Sequence, residues 1–223
     1  MTLLILSFLV AIIDWIAVAR RNRRLEYWAK PATLVLLLFA FLWLAPRPLS
    51  ALSFAFALGL GLSLVGDVLL MLPSDRFVAG LVSFLLAHLG YITAFNLEGP
   101  IVNAPGLLLA LPLGIVAWRV LRRLTSAMRQ AGRERLIAPV AMYGAVLSLM
   151  AWSAASTMLR PAWQGSAGWL AAVGGVLFFT SDTMLAWMRF VRPLPGGRVA
   201  EMITYHAAQY ALSAAVLLRL GAF

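Results

Sequence analysis

The sequence predicts an all-α protein, a polytopic membrane bundle of eight transmembrane helices, and three observations carry that prediction. Of the 223 residues, 63% are hydrophobic and 12% charged, with a mean hydropathy of +0.92. A soluble domain carries about 25% charged residues. The apolar residues come in long blocks separated by short basic or Pro/Gly clusters, so the bilayer is the expected solvent. Charge is the third observation: the net charge is +10, with 18 Lys+Arg against 8 Asp+Glu, and the pI is near 11.4. In a soluble chain that balance would suggest nucleic acid. Here no basic stretch interleaves with aromatics as a single-strand binder's does. The arginines fall between apolar blocks, as the positive-inside bias requires, so no nucleic-acid partner is expected.

The spans follow in order. The first, about 2–19, lacks a basic leading segment and a small-residue cleavage site, and its basic cluster comes after the apolar run, so it reads as a retained helix rather than a signal peptide. The second, about 31–45, is the shortest and lies between Lys30-Pro31 and Pro46-Arg47-Pro48. The third, 51–72, ends at Pro73-Ser74-Asp75, and the fourth, 76–96, ends before Gly99-Pro100. The fifth, 103–121, runs into a basic loop at 122–135, and the sixth, 136–159, stops at Arg160-Pro161. The seventh, 166–188, and the eighth, 199–220, flank Pro193 to Gly197. Residues 1–223 thus read as a single integral membrane domain. With the 20–30 segment inside, fifteen Lys/Arg fall in inner loops, against Arg47, Arg160 and Arg219 outside. That asymmetry puts both termini outside. Near-exclusive use of Arg over Lys suggests a bacterial source, hence the cytoplasmic (inner) membrane. Oligomeric state is left open.

An ionisable group inside a membrane helix costs about 2.5–3.5 kcal/mol on insertion scales, so each is a functional candidate. Glu26, Asp75, Glu98 and Glu134 fall in loops or at span ends; Asp14, Asp67, Asp182 and Glu201 do not. Asp14, Asp67 and Asp182 each lie five or six residues from an inner span end, roughly 8–9 Å deep. Glu201 lies nearer its inner end, so the expectation is one layer of carboxylates. Gly66-Asp67-Val68-Leu69-Leu70-Met71 and Ser181-Asp182-Thr183-Met184-Leu185-Ala186 share a small residue, an Asp and an apolar run. Spans three and seven correspond if the chain is two four-helix halves in parallel repeat. Gly59, Gly61, Ser63 and Gly66, and Gly174-Gly175, would let these helices approach closely.

Other polar groups recur at helical spacing. Phe84, His88, Tyr91 and Phe95 form one stripe, which packing alone could explain except at His88, mid-span with no water to satisfy it. Tyr143 lies on span six; Glu201, Tyr205 and Gln209 follow at i, i+4, i+8 on span eight; Lys30 stands at the inner mouth of span two. The chain has no cysteine and only His88 and His206, without an HExxH pair, so the usual zinc ligand sets are missing and an Asp/Asp/His site is the remaining metal option. No metal or other cofactor is expected. A nucleophilic Ser181 lacks a histidine placed by spacing to activate it.

Two carboxyl groups sharing a low-dielectric site ionise unequally, one kept as an acid and the other as a base, which suits hydrolysis through an oxocarbenium ion. The residues also carry a resemblance. Lys30-Pro31, the Gly66-to-Leu72 block with Phe77, Gly80, Phe84, His88 and Tyr91, Tyr143-Gly144, Phe178 to Asp182 with Leu185-Ala186, and Tyr205 with Gln209 resemble the YhhN-like family, which contains the transmembrane lysoplasmalogenases. His206 departs from the family pattern, which expects a second aromatic after Tyr205, and Asp14 lies outside the matched motifs. The resemblance implies hydrolysis of the sn-1 vinyl ether bond of a lysoplasmalogen, giving a fatty aldehyde and glycerophosphoethanolamine or glycerophosphocholine. The two aspartates then act as an acid and a base, with Asp182 taken as the acid and Asp67 as the base although the sequence leaves the reverse assignment open. His88, Tyr91, Tyr143, Ser181, Tyr205 and Gln209 contact substrate or water, and Lys30 with the inner-loop arginines attracts the phosphate. The rivals are a proton-coupled lipid or small-molecule transporter, a metal-dependent lipid amidase or phosphatase, and a bundle whose acids only pair with Lys30 or tyrosines.

Overall fold

The computed structural model describes residues 1–74, 76–99, 102 and 104–222; Asp75, Pro100 and the first residue of the expected fifth span lie outside them. Eight helices account for nearly the whole chain: α1 Thr2–Ala19, α2 Arg23–Leu44, α3 Ala51–Met71, α4 Phe77–Asn96, α5 Ala104–Gln130, α6 Ile137–Ser156, α7 Ser166–Phe190 and α8 Gly197–Arg219. Short 3-10 turns occupy Glu134–Leu136, Thr157–Leu159 and Pro161–Trp163, and among the described residues there is no strand. Local chemistry starts two of the helices. The Asn22 side chain accepts from the Leu25 N–H at 3.2 Å, and Ser50 accepts from the Ser53 N–H at 3.2 Å, each capping a helix whose first N–H groups lack intrahelical partners.

Helix α2 begins at Arg23, well before the expected start at 31. Pro31 reads as a boundary because it lacks an N–H and disfavours the helix interior. The helix instead continues through it, stabilised by neighbours on both sides. This corrects the placing of Lys30 at a helix mouth: it lies two turns inside α2 and is buried. At the other extreme, α5 runs to Gln130, past Arg119, Arg122 and Arg123.

Seven helices, α1 through α7, are long and apolar enough to cross a membrane. Helix α8 has the length but carries Arg198, Glu201, Tyr205, His206 and Gln209, and the last four of these are buried inside the bundle. Its low apolarity therefore reflects polar groups turned inward. In space, α1, α2, α3, α4, α6, α7 and α8 form a closed ring, each packed on the next, with α8 returning to α1. Helix α5 stands outside, against α6 and α7, with Leu107, Leu108, Leu111, Ile115, Val116 and Trp118 exposed. A strict repeat of two halves would give α5 the place that α1 holds, and it does not take it.

The tightest pairings are α3 with α4 and α7 with α8. Membrane helices gain little from hydrophobic exclusion, so close backbone approach supplies the packing. A Cβ on Gly59 would stand 2.5 Å from the Tyr91 ring, and one on Gly66 would stand 2.6 Å from Phe84. Gly61, expected in the same role, faces open space. Gly59→Ala should therefore displace Tyr91 and destabilise the bundle by about 1–3 kcal/mol, whereas Gly61→Ala should be neutral. Thermal unfolding in detergent measures both, and equal melting temperatures would refute the packing account.

Candidate active site

Asp67 on α3 is 1% exposed and held from two sides. The Lys30 ammonium lies 3.0 Å from Oδ1 as an ion pair off hydrogen-bonding geometry, and the Tyr205 hydroxyl donates to Oδ2 at 2.8 Å. Behind Tyr205 the donors line up. A hydroxyl has one proton, and Tyr205 gives its own to Asp67, so its oxygen is left to accept from Gln209 Nε2 at 3.4 Å. Gln209 Oε1 accepts from the Tyr91 hydroxyl at 2.8 Å, and that oxygen accepts in turn from Ser63 at 3.2 Å. Every donor from α3, α4 and α8 points toward the Asp67 carboxylate, so each bond polarises the next.

Asp182 on α7 ends a second, shorter chain. The Tyr143 hydroxyl donates to Oδ2, and His88 Nε2 lies 3.0 Å from the Tyr143 oxygen and 3.5 Å from Asp182 Oδ2. Since the Tyr143 proton is committed to Asp182, His88 must donate through Nε2–H, which assigns its tautomer. Nδ1 of His88 is buried without a hydrogen-bond partner among the described residues. Phe178, completely buried, wedges between the two chains, with ring centroids 4.8 Å from His88 and 5.4 Å from Tyr205.

Both carboxylates face one cavity of about 290 Å³. Lys30, Tyr143, Ser181, Glu201 and Tyr205 line it too, and the remaining wall is mostly apolar. Helix α5 supplies the outer wall through Gly114, Ala117, Leu121 and Leu124. His88, Tyr91 and Gln209 sit one layer behind the cavity lining, hydrogen-bonded to Tyr143 and, through Gln209, to Tyr205. The Ser181 hydroxyl lines the cavity but donates to the Glu201 carbonyl at 3.1 Å, tying α7 to α8. Lys30 lines the cavity while paired with Asp67.

Of the expected carboxylate layer, Asp67, Asp182 and Glu201 reach this cavity and Asp14 does not. Asp14 is fully buried on α1, and neither of its oxygens has a hydrogen-bond partner among the described residues. His206, the departure from the family pattern, accepts the Trp15 indole N–H at Nδ1 (3.0 Å) and so joins α8 to α1. Sequence spacing puts Glu201 in the carboxylate layer without a role, and assigns none to Phe178 or the α5 wall. Glu201 at i−4 from Tyr205 was a usable signal; an apolar α5 gives none. No cluster of three His, Asp or Glu side chains fit to hold a metal occurs among the described residues.

The fold and site define a class: a polytopic helical membrane protein with paired carboxylates facing an apolar cavity. The chain belongs to the YhhN family, whose model matches residues 25–216. It is 37% identical to human lysoplasmalogenase TMEM86B over 155 residues, 70% of this chain and 60% of that one. It is 33% identical to human lysoplasmalogenase TMEM86A over 153 residues, 66% of this chain and 58% of the relative. The Mycobacterium bovis lysoplasmalogenase is 33% identical over 155 residues, covering 68% and 56%. The matches thus span roughly three-fifths of these curated relatives. No solved structure matches the chain.

Removing Lys30 should leave Asp67 buried without a counter-ion, at a cost of about 3–5 kcal/mol. Lys30→Met should therefore unfold well below the wild type in detergent, and Lys30→Met/Asp67→Asn should recover part of the loss. A double variant no more stable than Lys30→Met would mean that the pair is not coupled.

Proposed function

We propose that the chain is a membrane-embedded hydrolase that cleaves the sn-1 vinyl ether bond of a lysoplasmalogen. The products are a fatty aldehyde and glycerophosphoethanolamine or glycerophosphocholine. The observation that carries this reading is the pair of carboxylates, Asp67 and Asp182, facing one largely apolar cavity from α3 and α7. The names of the relatives support the substrate class.

The steps balance with these two groups and one water. Asp182 protonates the vinyl carbon remote from oxygen, giving an oxocarbenium ion, and its Oδ2 stays held by Tyr143 while Oδ1 faces the reaction. Asp67, fixed by Lys30 and Tyr205, stabilises the cation and takes a proton from the attacking water. The hemiacetal then collapses. Asp67 returns that proton to the departing glycerol oxygen, the hemiacetal hydroxyl gives its proton to Asp182, and both carboxyls regain their starting states. The alkenyl chain lies along the apolar wall of α5, where Gly114 and Ala117 leave room for it. Glu201, beside Lys30 on the cavity, adds to the acidic field that favours a cationic intermediate.

Asp67→Asn and Asp182→Asn should each lower aldehyde release from lysoplasmalogen by about 10²–10⁴-fold; Asp182→Asn should keep its melting transition, and Asp67→Asn, which leaves Lys30 buried without its counter-ion, should melt lower yet remain folded at the assay temperature. A chelator should leave the wild-type rate unchanged. Full activity in Asp67→Asn would end this mechanism, and chelator inactivation would favour a metal hydrolase.

All eight helices cross as one membrane domain in this reading, with the 20–30 segment and the 119–135 segment in the cytoplasm and both termini outside. The chain has no cysteine, so single-cysteine labelling is clean. Cysteines placed at Arg129 and Arg192 should react with an impermeant maleimide only after the cells are opened, and one at Thr2 in intact spheroplasts. The reverse pattern would invert the topology.

A further inference from the structure

Both carboxylate oxygens of Asp14 and Nε2 of His206 are buried without a hydrogen-bond partner among the described residues, and both side chains sit outside the cavity lining. His206 accepts the Trp15 indole N–H at Nδ1, so its ring proton is on Nε2 and points a donor into the interior. Asp14 on α1 thus offers acceptors and His206 on α8 a donor, and the Lys30 ammonium on α2 lies within electrostatic reach of both. Buried polar groups are satisfied by protein or by ordered water, and water is the small molecule that can give and accept hydrogen bonds at once.

These groups belong to a polar seam between α1, α2 and α8. On α8, Arg198, Glu201 and Tyr205 follow at i, i+3 and i+7; on α2, Glu26 and Lys30 follow at i and i+4, so each set shares one helix face. Arg198, half exposed, pairs with Glu26 across the two helices where the seam reaches the surface. Farther in, Lys30 and Tyr205 both hold Asp67, and Glu201 stands beside them on the cavity wall. Asp14 lies within electrostatic reach of Glu26, Arg198, Lys30 and Asp67, which places it along the whole of that line. At the same end of the bundle, the side of the cavity between α4, α5, α6 and α7 is packed by an apolar cluster of Phe77, Leu124, Met128, Val140 and Phe190. The seam, not that cluster, offers a polar route to Asp67.

Resting on the hydrolase reading above, we propose that Asp14 and His206 hold water in this seam and that the seam supplies the water activated at Asp67. Hydrolysis consumes one water per turnover, while a hydrocarbon chain lies along the apolar wall. Water arriving from the α1 side reaches Asp67 without passing that chain. His206 is suited to the place because an aromatic ring without nitrogen could neither accept from Trp15 nor donate inward.

Radiolytic hydroxyl-radical footprinting tests the site without turnover, since radicals formed from bound water mark the side chains beside it. His206 should be marked in the wild type despite its burial. Asp14→Leu, which replaces the acceptors with hydrocarbon, should lower that labelling about tenfold, the upper worth of one hydrogen bond. Asp14→Asn, which keeps two hydrogen-bonding atoms, should retain it, and His88, equally buried on the other side of the bundle, should not respond to either change. An unmarked His206 in the wild type would overturn the site whether or not the leucine variant folds, and equal labelling in Asp14→Leu would do the same. Arg198→Gln breaks a partly exposed ion pair of small worth to the fold and should speed labelling of His206. No change there would overturn the Glu26–Arg198 entrance. In turnover, Asp14→Leu should lower kcat about tenfold with KM unchanged, and Asp14→Asn should restore it. Wild-type kcat in a leucine variant that has lost His206 labelling would overturn the supply role. Absence of aldehyde release from the wild type, with Asp14-dependent labelling intact, would remove the hydrolase reading alone.

Discussion

The ion pair between Lys30 and Asp67 is the constraint from which the architecture follows. A lone carboxylate in the interior of a bundle, with lipid outside, has neither water nor a counter-ion, and only a cation carried in by another helix makes its burial tolerable. That requirement explains why α2 runs unbroken through Pro31: a helix starting after the proline would leave its lysine in a loop. It also explains why α8, the least apolar helix, sits in the ring, since Tyr205 supplies the second bond to the same carboxylate.

Both carboxylates end directed hydrogen-bond chains, and direction is what the two chains have in common. Tyr91, Gln209 and Tyr205 each pass a proton donor toward Asp67, and His88 and Tyr143 do so toward Asp182. Dipoles fixed before a ligand arrives need no reorganisation when charge develops, the general source of electrostatic catalysis. Residues without access to the cavity thereby set the properties of those that have it. Phe178 keeps the two chains apart with a ring that offers no competing hydrogen bond.

The walls of the cavity differ in packing for a compositional reason. Helices α3 with α4, and α7 with α8, meet through glycines that leave no slack, and those helices hold both carboxylates. Helix α5 packs mainly on α6 and α7, beyond the ring, and presents apolar side chains both to the cavity and outward. A chemically precise half and a soft, lipid-like half suit a substrate with one polar reacting bond on a long hydrocarbon chain.

How much was legible beforehand divides along physical lines. Helix count, the apolar blocks and the presence of Asp67 and Asp182 within them stood in the sequence, because hydropathy and a rare charge within it are local properties of the chain. The place of Lys30 was misjudged, because a proline's local preference was overridden by packing on neighbouring helices. His88, Tyr91 and Gln209 stood out by spacing and type, yet whether they touch a ligand or support those that do depends on which neighbour stands in front. Glu201 showed its spacing but not its outlook onto the cavity, and α5 gave no sign of lining a site, since an apolar residue facing lipid and one facing a cavity look the same in sequence. The sequence by itself determined that this protein lives in a membrane with carboxylates inside it, since solvation energies act residue by residue. Only the tertiary structure decided that two of them share a cavity, which cation one of them holds and which hydroxyls serve each, because those are distances between helices far apart in the chain.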